Sequence, residues 1–256
     1  MKKAKIKVQI VTNDFSAATK EEMWTVYSKF YDYTKEYFMQ RIEKNNYFSM
    51  YTVDGKIVGF TGLRIDRTRI NGRKRLLIYF GQTIIDHAYR GKSLIPTTGA
   101  KLCLRYLPEI LTSKTYFWAD CLTYKAYLVF AKTLEQYYPT YKEELSPDAK
   151  SVIDFIGQRH YSDTYCPSTG TVKKDTVVVN DSSTTRIPMK YRQDQDIRFF
   201  TKANPLFMEG HGLITLGPVN LTNFGILMKR LFQKVIGVHR KPKTALAKRP
   251  KVRKLT

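Results

Sequence analysis

The sequence predicts an α+β (mixed α/β) fold with a central, mostly antiparallel sheet flanked by helices. Three observations lead there. Asp54-Gly55 and Asn71-Gly72 each sit between strand-like runs, and a type I′ hairpin turn needs positive φ at both central residues. Segments with apolar residues at helical spacing lie on both sides of that meander. Between Leu76 and Tyr106 a strand runs through a short basic loop straight into a helix.

In order, Lys5 to Val11 alternates with Ile6, Val8 and Ile10 on one face and reads as the first strand. Thr19 to Tyr33 carries Met23, Val26, Tyr27, Phe30 and Tyr31 at helical spacing, with Thr19 and Glu22 placed as a capping box. A second helix is predicted over 34–44, ended by Asn45-Asn46. Strands over 47–53 and 56–65 flank the first hairpin turn, and a fourth strand follows the second. Arg64, Arg67, Arg69, Arg73, Lys74 and Arg75 crowd that second turn and read as a solvated tip.

The fourth strand holds Ile78, Tyr79, Phe80, Thr83, Ile84 and Ile85, β-branched or aromatic residues that suit burial. Arg90-Gly91-Lys92-Ser93 follows: Gly91 permits a tight turn and Ser93 is an N-cap residue type. Ala100, Cys103, Leu104, Leu107 and Leu111 then imply one buried face of a helix over 97–111. A helix start behind a short cationic loop is an anion site in waiting, because its first N–H groups and the positive dipole end both face the loop. Many such connections bind nothing. Lys114 to Leu122 reads as strand five, and 123–138 as a helix with Ala126, Phe130, Leu134 and Tyr137 on one side. Beyond it come a helix over 147–160, a loop over 164–170, strands at 176–179 and 196–201, the Glu209-Gly210-His211-Gly212 loop, and an amphipathic helix from Leu221 to Val235.

The 256 residues carry 44 Lys and Arg against 22 Asp and Glu, a formal charge of +22, and 43% are hydrophobic. That composition supports a buried core and favours an anionic partner: a nucleotide, an acidic carrier protein, nucleic acid or a membrane surface. The last stretch, 236–256, holds eight of the cations and no acid and reads as a basic disordered tail. The expectation is one domain over 1–235, elaborated from about 140, followed by that tail. Cys103, Cys121 and Cys166 form no CxxC pair, so no disulfide framework and no metal site is indicated. The basic start lacks an apolar signal core, and no apolar run approaches the ~20 residues of a membrane span, which gives a cytoplasmic protein as the expectation. No nucleophile-elbow motif occurs, which sets a Ser-His-Asp or Cys-His hydrolase aside. With 18 Tyr and 14 Phe, the aromatic content fits plain core or an apolar tunnel for a long aliphatic chain.

Ile85-Asp86-His87-Ala88-Tyr89-Arg90-Gly91-Lys92-Ser93-Leu94 resembles the signature loop of the GNAT superfamily of acyl-CoA-dependent N-acyltransferases, Gln/Arg-x-x-Gly-x-Gly/Ala after an apolar and aromatic run-in. Arg90 fits the first position, and Ile85 and Tyr89 the run-in. Ser93 stands where the second Gly is usual, and Ile95 where a small residue is. The order of elements over 5–140 is also similar to that family. The resemblance implies a fourth and fifth strand that splay apart around an acyl-thioester arm, held by backbone at Ile84, Ile85 and Asp86, with the pyrophosphate at Arg90, Gly91, Lys92, Ser93 and Leu94. It implies acyl-CoA, or the phosphopantetheine of an acyl carrier protein, as co-substrate, and an amine of a peptide, amino acid or small molecule as acceptor.

The family's strand-four Glu has no counterpart here, since 75–85 contains no acid and leaves Tyr79 and Gln82 as its polar groups. Its usual acid, a Tyr four residues past an Ala, lands on Phe130. The candidates for chemistry are therefore Tyr127, Asp120 at the end of strand five, and His211 between two glycines. Each has an ordinary reading too: core tyrosine, capping aspartate, loop histidine. Two rival functions stay open: a nucleic-acid binder working through the basic tail, and a GNAT-like scaffold without catalysis that binds a partner through the helix at 221–235.

Overall fold

The computed structural model describes residues 6–174 and 186–236. The strand read at 176–179 and the basic tail lie outside the described residues, except for Ile236 at the tail's start. β1 (Lys7–Thr12), β2 (Tyr47–Val53), β3 (Lys56–Ile70), β4 (Arg73–Ile85), β5 (Lys114–Cys121), β6 (Tyr165–Cys166), β7 (Thr171–Lys173) and β8 (His211–Pro218) form one mixed sheet in the order β1-β2-β3-β4-β5-β8-β7-β6. Every pairing is antiparallel except β4 with β5. The hairpin turns form where expected, with Asp54 at φ 48°, Gly55 at 83°, Asn71 at 49° and Gly72 at 74°.

Alternation along β4 divides the core. Leu76, Ile78 and Phe80 face α3 (Leu94–Arg105), α5 (Tyr124–Thr133), α7 (Gln195–Ala203) and α8 (Leu221–Val235). Leu77 and Tyr79 face α6 (Pro147–Tyr161), whose Val152, Ile153 and Ile156 are fully buried, each worth about 1.5–3 kcal/mol by area. At the β1 end of that second face, α1 (Ala17–Tyr27) and α2 (Lys35–Glu43) close over Phe48, Met50 and Phe60. α4 (Leu107–Thr112) carries the chain from α3 into β5.

Several local expectations are corrected. α1 is capped by Ser16, which accepts from Thr19 N at 3.2 Å, so Thr19 lies inside the first turn. The helix expected over 97–111 begins at Leu94 and breaks at Tyr106, where φ is −109° ahead of Pro108. Leu104 and Leu111 are exposed rather than inward. The span 196–201 is helical, not a strand: Asp194 caps it through Asp196 N and Ile197 N, and Ile197 and Phe200 bury one face. The loop over 164–170 contains β6. The charged turn is not wholly solvated, since Arg75 is 3% exposed and paired with Asp148 at 2.5 Å, and Arg64 lies 4.1 Å over the Tyr79 ring.

Candidate active site

β4 and β5 are paired from Arg75 and Lys114 only as far as Tyr79 and Trp118. Beyond them β4 keeps β3 as its partner and β5 keeps β8, so the two strands part. Among the described residues, the β5-facing edge of β4 from Phe80 to Ile85 is left without a strand partner. A bulge sharpens the departure. Phe60 pairs with Ile84 and Gly62 with Gly81, so Gln82 and Thr83 oppose Thr61 alone, with Gln82 at φ 44°.

The opening is a cavity of about 530 Å³. Its apolar wall includes Phe80, Ile95, Phe117, Val129, Phe130 and Leu227, and the parted strand ends form its floor. At one end stand Arg90 and Gly91 of the loop before α3. Gly91 (φ 72°) and Ser93 (φ 53°) both adopt left-handed backbone, which turns the chain sharply into the helix. The first helical bond is Thr97 N to Ser93 O at 3.0 Å, so the N–H groups of Leu94 and Ile95 precede the helical ladder, and Pro96 has none to give. Gly91, Lys92 and Ser93 are exposed, so this donor-rich turn faces outward rather than into protein. The Ser93 side chain makes no cap bond.

At the point where the strands part, Asp120 holds a buried polar cluster. Its carboxylate accepts from Tyr79 OH at 2.9 Å, and from the Tyr161 hydroxyl and the Lys174 ammonium. Asp120 is 8% exposed. Burial alone would raise its carboxyl, but Lys174 and the three hydrogen bonds outweigh that and hold it below the usual carboxylate range. Burial pushes the Tyr79 and Tyr161 hydroxyls up, the nearby Asp120 charge adds to this, and both stay protonated. The Tyr79 ring lies over Gly81, where a Cβ would come within 2.2 Å of its Cε1, Cζ and hydroxyl oxygen, so only glycine admits this pose.

Ile84, Ile85, Arg90, Gly91 and Asp120 thus line one cavity. Arg90 is folded back: its Nε donates to Ile85 O at 3.0 Å and its guanidinium lies 4.9 Å over Phe30. Asp86 is an N-cap for the short turn at His87–Tyr89, accepting from Ala88 N at 3.1 Å, and is not among the walls. Lys92 and Ser93 stand outside them, and the Leu94 side chain packs on Val8 and Tyr51. Tyr127 is fully buried between Tyr137, Phe199 and Phe200, with its hydroxyl donating to Pro139 O at 3.0 Å, away from the cavity. His211 opens strand β8 rather than riding a free loop; its backbone pairs with Lys173 and accepts from Asn204 Nδ2 at 2.7 Å. It too is not a wall of the cavity.

Sequence reasoning did not single out Tyr161, Lys174 or Arg41. The first two come from distant segments, Tyr161 lying 41 residues from Asp120, and no spacing announces them. Arg41 had a signal: it stands three residues after Phe38 and one before Ile42, both fully buried, so helical geometry turns it inward. Among the described residues no group of three or more His, Cys, Asp or Glu side chains could hold a metal ion.

No protein-family model matches the chain, and no curated protein matches its sequence. Solved structures do. A probable N-acyltransferase from Enterococcus faecalis is 12% identical over 52% of this chain, with a TM-score of 0.36, and the match spans only 34% of that longer protein. An aminoglycoside acetyltransferase from an uncultured soil metagenomic sample is 14% identical over 55% of this chain and 92% of its own, with a TM-score of 0.38. Glucosamine-6-phosphate N-acetyltransferase from Arabidopsis thaliana is 13% identical over 55% and 99%, also with a TM-score of 0.38. At these identities and scores the function has to be argued from the cleft itself.

Proposed function

We propose that the protein is a GNAT-like N-acyltransferase. It takes an acyl group from a thioester on a phosphopantetheine arm, that of acyl-CoA or of an acyl carrier protein, to an amine. The parting of β4 and β5 after Tyr79 and Trp118 is the observation that carries this reading. It leaves an unpartnered backbone edge along which an amide-bearing arm can hydrogen-bond, at the side of an apolar cavity that suits an acyl chain. The outward turn at Gly91–Ser93 and the start of α3 offer N–H groups and a positive dipole end to a diphosphate.

Residues at the parting point then act on the acceptor. Asp120 is ionised and has room for about four donors, of which the described residues supply three. An incoming ammonium is the fourth. A carboxylate held this low is a poor base, so the ammonium gives its first proton to water and Asp120 orients the neutral amine. The nitrogen attacks the thioester carbonyl carbon, a C–N bond forms and the C–S bond breaks. The nitrogen's surplus proton passes to the departing sulfur, with the protonated Tyr79 hydroxyl as the nearest relay, leaving an amide and a free thiol.

Calorimetric titration with CoA, with short- and long-chain acyl-CoA, and with acylated carrier protein tests the donor. Saturable binding of one class, followed by an acyl mass gain on an amine, is the expected outcome. Failure of every donor to bind would overturn the reading.

A further inference from the structure

The cavity is also lined by Tyr31 ahead of α2, Arg41 within it, and Gln82 at the β4 bulge. Among the described residues four cations line the cavity, Arg41, Arg90, Lys125 and Lys174, against one carboxylate, Asp120. Arg90 is tied to Ile85 O, Lys174 to Asp120, and Lys125 sits 6.0 Å over the Tyr124 ring. Arg41, like Arg90, has only neutral neighbours among the described residues. Its Nη1 lies 3.4 Å from Tyr37 OH and its guanidinium 5.5 Å over the same ring. With the Gln82 amide oxygen turned toward it, Nε donates to Gln82 at 3.2 Å. Among the described residues no carboxylate forms an ion pair with it.

The guanidinium stays charged in any protein, and this one is half-buried against aromatic rings. A desolvated cation with neutral partners is costly, and an oxyanion from outside offsets that cost. Nearby tyrosines do not supply the charge: burial pushes the Tyr27 and Tyr31 hydroxyls up, and they stay neutral. Tyr37 and Gln82 also hold the planar fork in place, and among the described residues its Nη2 has no hydrogen-bond partner. A polycationic acceptor would meet this cation-rich lining unfavourably.

Resting on the acyltransferase reading above, we propose that the acceptor is an amine that also carries an oxyanion, a carboxylate or a phosphate. The oxyanion pairs with Arg41, and the amino group points toward the Asp120 end of the same cavity.

The test is equilibrium titration without donor, using phenylalanine against phenylalaninamide and phosphoethanolamine against ethanolamine. The oxyanion-bearing member of one pair should bind tighter by about tenfold or more, and the pair that responds tells carboxylate from phosphate. Arg41→Gln should weaken the oxyanion-bearing member about 10- to 100-fold, as loss of a charge-assisted bond does, and leave the member without the oxyanion within about twofold. Arg41→Lys keeps charge without the fork and should fall between. Equal binding within both pairs, or a preference that survives Arg41→Gln, overturns the proposal; the wild-type comparison decides even if the Gln variant does not fold. CoA titration of the same samples reads the donor site separately. Anion preference without CoA binding would sink the acyltransferase and leave the Arg41 site standing, whereas CoA binding without anion preference would do the reverse.

Discussion

Two aspartates stand at opposite ends of the β4–β5 pair, and each is gripped by the same kinds of group. At the closed end Asp148, in the first turn of α6, accepts from Arg75 Nη2 at 2.5 Å, Lys114 Nζ at 2.8 Å and Tyr116 OH at 2.8 Å. At the open end Asp120 accepts from Tyr79, Tyr161 and Lys174. Both carboxyls are held low despite burial, because cations and phenol donors outweigh it. What differs is the backbone between them. Arg75 and Lys114 belong to strands still hydrogen-bonded to each other, so the first cluster bolts α6 to a finished sheet. Tyr79 is the last residue of β4 paired with β5, so the second cluster faces a void. The same chemistry is structural where the strands are zipped and available to a ligand where they part.

The largest expected effect tests the closed end. Asp148→Ala strands Arg75, a guanidinium that is 3% exposed, without its carboxylate, and should cost about 3–5 kcal/mol in denaturant unfolding. CoA affinity should not change. The pH dependence has a definite sign. The Asp148 carboxyl is lowered to about 2, by Lys114, Tyr116 and Arg75 against the opposing effect of burial, so its contribution is complete above the ordinary carboxylate range. That contribution disappears as pH falls through about 2. The variant should therefore lack part of the wild type's acid-induced loss between about pH 4 and pH 2. An unchanged acid limb would mean that the cluster does not couple to folding.

Next comes the open end. Asp120→Asn keeps the shape but removes the charge that orients the acceptor in the proposed reaction, and should lower kcat by about 10²- to 10³-fold, the scale on which single preorganised electrostatic groups act. Loss of stability in place of loss of turnover, measured on the same samples, would make the two aspartates equivalent and remove the contrast between the ends.

How far the sequence already spoke follows the range of the forces involved. Asp54-Gly55 and Asn71-Gly72 are legible because positive φ is decided by local sterics, and β2 to β4 follow from them. The parting of β4 and β5 came from the likeness of one loop and the order of elements, not from any residue at the parting point. Helix α7 was hidden: Ile197, Phe199 and Phe200 make a short apolar run that reads either way, and Asp194 settles it only once its cap bonds are seen. Arg64 and Arg75 read as solvated because no local rule shows that Tyr79 and Asp148, on other segments or registers, take them in. Asp120 is readable as a strand-end acid, but Tyr161 and Lys174, which fix its ionisation, reach it only through tertiary structure. Tyr127 is drawn in as a neighbour of the motif position, Phe130, and His211 by its place between two glycines; their placement away from the cavity depends on α7 and β8, whose form the local pattern does not disclose.

The smallest effect probes the contrast most sharply, at Gly81. A methyl there would lie 2.2 Å from three atoms of the Tyr79 phenol, far inside any real contact. Tyr79 is confined between the Arg64 guanidinium at 4.1 Å and the Trp118 ring at 4.4 Å, so it can yield only by swinging its hydroxyl off Asp120. Gly81→Ala should cost about 1–3 kcal/mol in stability, the usual toll of overpacking. It should also lower kcat about tenfold through the lost Tyr79–Asp120 bond, roughly one kcal/mol or slightly more in the barrier. Tyr79→Phe separates the two effects, since it removes the hydroxyl and leaves the packing. If the variants share the fall in kcat while Tyr79→Phe keeps its stability, the hydroxyl serves turnover. If Gly81→Ala loses stability with kcat intact, Tyr79 is packing like Tyr116, and the open end of the strand pair is no different in kind from the closed one.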